Sequence, residues 1–318
     1  MEVRKEPRLR WTRLVISVVS LFLIGILIIK GWDQIIQSLN SISLGFFFLL
    51  MGFTLISRVM VGLRWYFLLR GASIEINLIN SIGVTFMGLF ASNFLPSTIG
   101  GDIIRLAAAT RISKNPIPCT ASLVMDRLVG IFGMLLISPI GLHLILQSGL
   151  LDGTKIGSNQ SFLAIASINA FFSKIRSKVA KLVFEAKRVI SLWIHHPRFL
   201  FFSLLSTFGH MTFLFLTLTM LLDRLNSPIQ FWVVSALWSI SYFITLLPIS
   251  INGLGLQELS LTILFSQIGN VDYSAAAIMA VLIRVLQMLA SLIGGVVLYF
   301  IFPDLLGEIK KPEKEMNV

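Results

Sequence analysis

The sequence predicts an all-α protein, a polytopic transmembrane helical bundle of roughly eight spans with two short half-helices in an inverted repeat. Three observations carry this. First, 56% of the 318 residues are hydrophobic and only 13% charged, with a mean hydropathy of +0.87. That is half the charge of an ordinary soluble domain, which runs near about 25%. Second, apolar runs recur along the whole chain, each close to the ~20 residues a helix needs to cross the hydrocarbon. Strands of a membrane barrel would instead alternate polar and apolar residues over about ten positions. Third, two further helical stretches, 102–111 and 256–268, are too short to cross and each follows a proline and paired glycines.

Taken in order, the first apolar run covers 14–30, behind Arg4, Lys5, Arg8, Arg10 and Arg13. No small-x-small cleavage site follows it, and it ends on Lys30, Gly31 and Trp32, so it reads as an uncleaved span with an interfacial anchor. Further spans are expected at 43–66, 78–95, 121–148, 160–173, 199–222, 229–248 and 274–302. The whole chain, 1–318, reads as a single transmembrane domain, with a basic loop at 174–198 inside it.

Orientation follows from Lys and Arg in short loops. The basic N-terminus, the 174–198 cluster and Lys310, Lys311 and Lys314 place both termini and that loop in the cytoplasm, in the cytoplasmic (inner) cell membrane. Asp33, Asp152, Asp223 and Asp272 mark external loops. The 174–198 loop reads as an amphipathic surface helix with Val179, Leu182, Val183, Ile190 and Trp193 toward lipid. Arg111 and Lys114 would then fall outside, unless 97–111 turns back inward as a half-helix. The same reasoning sends 256–268 outward.

The two half-helix regions match. Asn93-Phe94-Leu95-Pro96-Ser97-Thr98-Ile99-Gly100-Gly101-Asp102 aligns with Leu247-Pro248-Ile249-Ser250, then Gly253, Gly255 and Glu258. Proline ends the incoming helix, glycines permit a tight turn, and the acid can cap the outgoing helix. Arg127 and Arg284 then recur in the following spans. Interrupted helices at corresponding places in two halves point to a transporter site.

At these residues the sequence resembles the lysylphosphatidylglycerol synthase transmembrane region, the flippase-like membrane proteins. The resemblance rests on Arg64-Trp65, Asn93 with Pro96, Gly100-Gly101-Asp102 with Arg105, Asp126-Arg127-Leu128-Val129-Gly130, and Pro248 through Glu258. It implies a lipid-handling membrane part. The soluble aminoacyl-transferase domain of the best-known member is not expected, since the chain ends at Val318.

Charge inside a span is expensive, so Asp102, Arg105, Asp126, Arg127, Glu258 and Arg284 are functional candidates, with Asn93, Pro96, Gly100, Gly101, Pro248, Gly253 and Gly255 shaping the substrate site. Asp102 and Arg105, at i and i+3, suit a local ion pair. The free N–H groups of the half-helix, with Arg105 or Arg127, suit a lipid phosphate. Arg58 and Arg64 are expected to snorkel to the cytoplasmic surface, and His143 and His210 to bond neighbouring helices. Gly130, Gly133, Gly294 and Gly295 read as close-packing positions. Asp102, Arg127, Glu258 and Arg284 are expected to share one cavity.

The net charge of +11 lies in loops rather than on a basic face of a soluble module, so nucleic acid is not expected. Lone Cys119 and scattered histidines offer no metal site, and no cofactor is expected. No catalytic constellation is found. The expected function is a flippase-like transporter moving or binding a phosphate-bearing lipid, a phospholipid or one linked to polyprenyl phosphate. The rival is a membrane subunit or embedded transferase of lipid-linked glycan or aminoacyl-lipid synthesis. Expected partners are anionic or phosphate-bearing membrane lipids and a separately encoded glycosyltransferase or lipid synthase.

Overall fold

The structure, a computed structural model, describes residues 43–94, 100–147, 193, 196–246 and 251–301. The expected spans at 14–30 and 160–173, both termini, Pro96, Pro248 and nearly all of the 174–198 loop lie outside the described residues. Among the described residues there are eight α-helices and no strand. They are α1 (Leu44–Gly71), α2 (Leu78–Phe94), α3 (Gly100–Ser113), α4 (Pro116–Gln147), α5 (Pro197–Arg224), α6 (Phe231–Thr245), α7 (Leu256–Gln267) and α8 (Tyr273–Ile301). Thus α3 and α7 are the expected half-helices, and the other six are expected spans.

Local chemistry sets the boundaries. Ser43 opens α1 by accepting a hydrogen bond from the Phe46 N–H at 3.3 Å. Prolines begin α4 and α5, where a missing donor costs nothing. The chain runs into α7 through Asn252, Gly253 and Gly255, with φ of 51°, 71° and 77°. A backbone in that region favours glycine and asparagine over branched residues. The Gly255 N–H then donates to the Glu258 carboxylate at 2.8 Å, the capping role expected of that acid.

Among the described residues, four helices, α1, α4, α5 and α8, are long and apolar enough to cross a bilayer. The most apolar stretch of α1 has a mean hydropathy of 2.0, yet only 22% of it is buried inside the protein. A helix apolar all round is either core or membrane span, and so little internal burial excludes core. Phe48, Ile117, Phe201 and Phe300 project outward in the same way.

The helices pack as two matched units, α1–α4 and α5–α8. As α2 packs on α3 and α3 on α4, so α6 packs on α7 and α7 on α8. Between units, α2 meets α8 as α4 meets α6, and α1 lies along α5. Contacts along α1 and α5 pair Phe46 with Arg224, Phe53 with Phe213, Ser57 with His210 and Phe67 with Phe202. The pairing order shows that these two equivalent helices run antiparallel. Units whose equivalent helices oppose each other are inverted, as the paired Leu-Pro motifs predicted.

Close approach between units depends on small residues. A Cβ on Gly294 would strike the Phe86 carbonyl and lie 2.8 Å from the Met87 nitrogen. Gly133 and Gly295 likewise meet Met211 and Phe90 across the units, and Gly130 meets Arg64 within the first, so all four glycines are close-packing positions.

Two expectations are corrected. Trp193 does not face lipid: it is fully buried, and its indole N–H donates to the Leu68 carbonyl at 3.0 Å, because Gly71 leaves a notch at the end of α1. His143 bonds no neighbouring helix among the described residues and lies exposed on α4.

Asp272 precedes α8 and caps it, accepting from the Ser274 and Ala275 N–H groups at 3.1 and 3.4 Å. The Ser274 hydroxyl also donates to it and, with those N–H groups, holds the carboxyl below its ordinary range. Because its folded value is depressed, its stabilisation is full above the usual carboxylate range and is lost as pH falls through the lowered value. Asp272→Ala should cost about 0.5–2 kcal/mol, read as a lower melting temperature at pH 7 that converges with wild type in strong acid. A constant difference at every pH would refute the cap.

Candidate functional site

Three broken or spanning elements of the first unit bring their charges together. Asp126 on α4 is 2% exposed, far too deep for an unpaired carboxylate. Arg64 of α1 donates from Nε to one of its oxygens at 2.6 Å, and Arg105 of α3 from Nη2 to the other at 3.0 Å. Arg105 also lies 3.7 Å from Asp102, the expected i, i+3 pair, but its shorter bond is to Asp126. Asp102 takes its own closest partner from α4, where Arg127 Nε donates at 2.8 Å and Nη2 also reaches the same oxygen. The result is an alternating chain, Arg64, Asp126, Arg105, Asp102, Arg127.

Trp65 completes it. The Arg105 guanidinium sits 4.4 Å from the centre of the Trp65 ring, and the indole N–H donates to Ser122 at 3.2 Å. A cation over an indole face in a dry site is held by the ring's quadrupole as well as by its counter-ions. Gly88 makes room for this arginine, since a Cβ there would lie 2.6 Å from its side-chain carbons, and Gly101 lets the start of α3 close on the Gly88 carbonyl, 2.5 Å from a Cβ at that position.

The second unit repeats the arrangement in reduced form. Glu258, at the start of α7, pairs with Arg284 of α8, as Asp102, at the start of α3, pairs with Arg127 of α4. Arg284 also donates to the Gln257 side chain at 3.0 Å and approaches the Gly253 carbonyl at 3.4 Å. The two pairs differ in exposure. Side chains of Glu258 and Arg284 are 7% and 12% exposed, whereas Arg127 is 61% exposed.

A cavity of about 240 Å³ opens against the first network. Asp102, Arg105, Asp126, Arg127 and Gly101 line it, with Tyr242 from the second unit. Glu258 and Arg284 are not among its lining residues, so of the four charges expected to share a cavity only Asp102 and Arg127 do. Residues that flank the two breaks nevertheless meet. Asn93, at the end of α2, accepts from Asn252 Nδ2 at 3.1 Å and donates to Ser291 of α8 at 3.0 Å. Gly100 begins α3 and is buried.

A family model, the lysylphosphatidylglycerol synthase TM region, matches residues 10–295. The chain belongs to this family. It is therefore a multi-pass membrane protein of a lipid-related, flippase-like class. No curated protein matches the chain.

In this lysylphosphatidylglycerol synthase TM-region protein the Arg64-Trp65 dipeptide has a double purpose: one residue neutralises Asp126 and the other cradles Arg105. Arg64 does not snorkel to the surface, because Asp126 holds it at 9% exposure. Arg58, also expected at the surface, lines the cavity from the middle of α1. His210 bonds a neighbouring helix as expected, its Nδ1 lying 2.7 Å from the Ser57 hydroxyl, yet it lines the cavity too. Arg58, His210 and Tyr242 were not legible as site residues. Spaced 150 residues or more apart along the chain, His210 and Arg58 come together only through the antiparallel α1–α5 contact.

Proposed function

We propose that the protein moves a phosphate-bearing lipid between the leaflets of the cytoplasmic membrane. The observation that carries this reading is the arginine-rich cavity inside an otherwise apolar bundle, in which residues flanking two interrupted helices are joined through Asn93 and Asn252. Polar space at that depth is costly, and irregular backbone within a membrane is tolerated where it borders protein or a water-filled cavity. Guanidinium forks suit phosphate oxygens, and the buried start of α3 presents N–H groups to an anion. Val61, Leu89, Met134 and Met211 supply apolar walls for the lipid's upper chain. Anionic membrane lipids are accordingly the partners, and both termini are placed in the cytoplasm by their Lys and Arg content.

The test is leaflet-resolved transport. Proteoliposomes carrying a fluorescent phospholipid on both leaflets are treated with an impermeant quencher. Functional protein should let the quencher consume nearly all the signal, while empty vesicles stop near one half. Asp102→Ala should abolish movement yet still insert, because Asp102 answers Arg127 across the cavity; a merely capping acid would cost about 0.5–2 kcal/mol and leave transport measurable. Transport at wild-type rate by the variant would remove Asp102 from the path.

A further inference from the structure

Resting on that reading, the geometry points to a lipid with a doubly charged phosphate monoester headgroup as the occupant of the cavity, and away from a lipid whose headgroup carries a net positive charge. The argument is a charge count. Four guanidiniums line the space, those of Arg58, Arg64, Arg105 and Arg127, against the two carboxylates of Asp102 and Asp126. Both carboxylates are already engaged by arginine, Asp126 by Arg64 and Arg105, and Asp102 by Arg127 and Arg105.

Arg58 stands apart. Among the described residues it donates no hydrogen bond and meets no carboxylate within ion-pair distance. Its position halfway along α1 gives it no short route to a surface. Arg284, from the second unit, is ion-paired with Glu258 and brings no surplus charge of its own. Of the other titratable groups around it, His210 would add positive charge on protonation, and Tyr242 carries none as a phenol.

The surplus is therefore two positive charges, and a ligand bringing two negative charges neutralises it. A phosphodiester brings one and leaves an arginine uncompensated. A headgroup that couples a phosphodiester to a lysine-like diamine brings a net positive charge and is repelled. In a site of low effective dielectric these differences are large, since charge interactions there exceed their strength in water several-fold. The apolar walls at Val61, Leu89, Met134 and Met211 favour a lipid over free phosphate for the same headgroup.

The experiment uses the full chain in phosphatidylcholine nanodiscs at pH 8, where a phosphate monoester carries its second charge. A short-chain fluorescent phosphatidic acid is the probe, displaced by phosphatidic acid, phosphatidylglycerol, lysyl-phosphatidylglycerol or inorganic phosphate. Phosphatidic acid should compete at least ~10-fold better than phosphatidylglycerol, inorganic phosphate should be weak, and the lysyl lipid should not compete. Arg58→Gln should bring the monoester down to the diester's level, and Arg58→Lys should restore most of the preference. Equal competition by monoester and diester, or the best competition by the lysyl lipid, overturns the assignment. So does an Arg58→Gln variant that folds and keeps the preference. Inorganic phosphate competing as well as the lipid would make this an ion site and overturn the lipid assignment. If the protein moves lipids in proteoliposomes without preferring the monoester, this inference fails and the transport reading stands. If no lipid is moved, the transport reading fails first.

Discussion

Asp126→Ala is expected to be the most damaging single substitution in the molecule. The carboxylate is nearly inaccessible, and its two oxygens are the counter-ions of two arginines that are themselves each 9% exposed. Removing it leaves two neighbouring buried guanidiniums that repel each other. Breaking a buried pair by deleting one partner costs about 3–5 kcal/mol, and here one deletion strips Arg64 of its carboxylate and leaves Arg105 with the longer 3.7 Å contact to Asp102. The melting temperature in detergent should fall steeply, with little folded protein recovered. Asp126→Asn, which keeps the shape and one acceptor, should fall between alanine and wild type. A double variant, Asp126→Leu with Arg64→Met, should recover much of the loss, because the Arg64 charge leaves together with its partner while Arg105 keeps its contact to Asp102. If the double variant is no better than Asp126→Ala, the damage is not electrostatic.

The second large effect concerns the seam between the units. Gly294→Ala adds one methyl group, yet that methyl would collide with the backbone carbonyl of Phe86 on α2, which cannot turn aside as a side chain can. The two helices must separate, which would strain the Asn93 to Ser291 bond on the same interface. Overpacking of this kind costs about 1–3 kcal/mol. Gly52, in the first third of α1, gives the contrast, since nothing lies within 4 Å of a Cβ there. Alanine is the better helix former by about 1 kcal/mol, so Gly52→Ala should be neutral or mildly stabilising while Gly294→Ala destabilises. Parallel thermal melts in one detergent check both signs. A Gly294→Ala protein as stable as wild type would mean that α2 and α8 are not in backbone contact.

The six spans among the described residues were legible because each is continuous and apolar, and the half-helices because Pro96 and Pro248, with their glycines, mark a backbone that must break. Charge in short loops then supplied the sense of the two halves. The acid–arginine pairs were half legible: Asp102, Arg127, Glu258 and Arg284 stood out by their cost in lipid, but nothing in the spacing said that each acid would choose the arginine of the following span. Arg58 and Arg64 misled for a clear reason. A long cationic side chain near the end of an apolar run ordinarily reaches for water, and only the buried carboxylate of Asp126, 62 positions away from Arg64, holds it inward. Partners so distant in sequence leave no local trace. Trp193 misled similarly, since an aromatic on a basic amphipathic stretch looks like a lipid anchor until the notch at Gly71 is known.

The unequal exposure of the two acid–arginine pairs bears on the energetics of conformational exchange. In an inverted duplicate, the two units can trade roles, the second opening as the first closes. Such a trade would bury Asp102–Arg127 and uncover Glu258–Arg284, so one ion pair leaves water as its counterpart enters it. The desolvation cost of a buried pair is several kcal/mol per ion when met alone, but in such a trade it would appear on both sides and largely cancel. What would remain is the difference between an aspartate and a glutamate and between their linings, and under the proposed function a lipid would have only that gap to reverse.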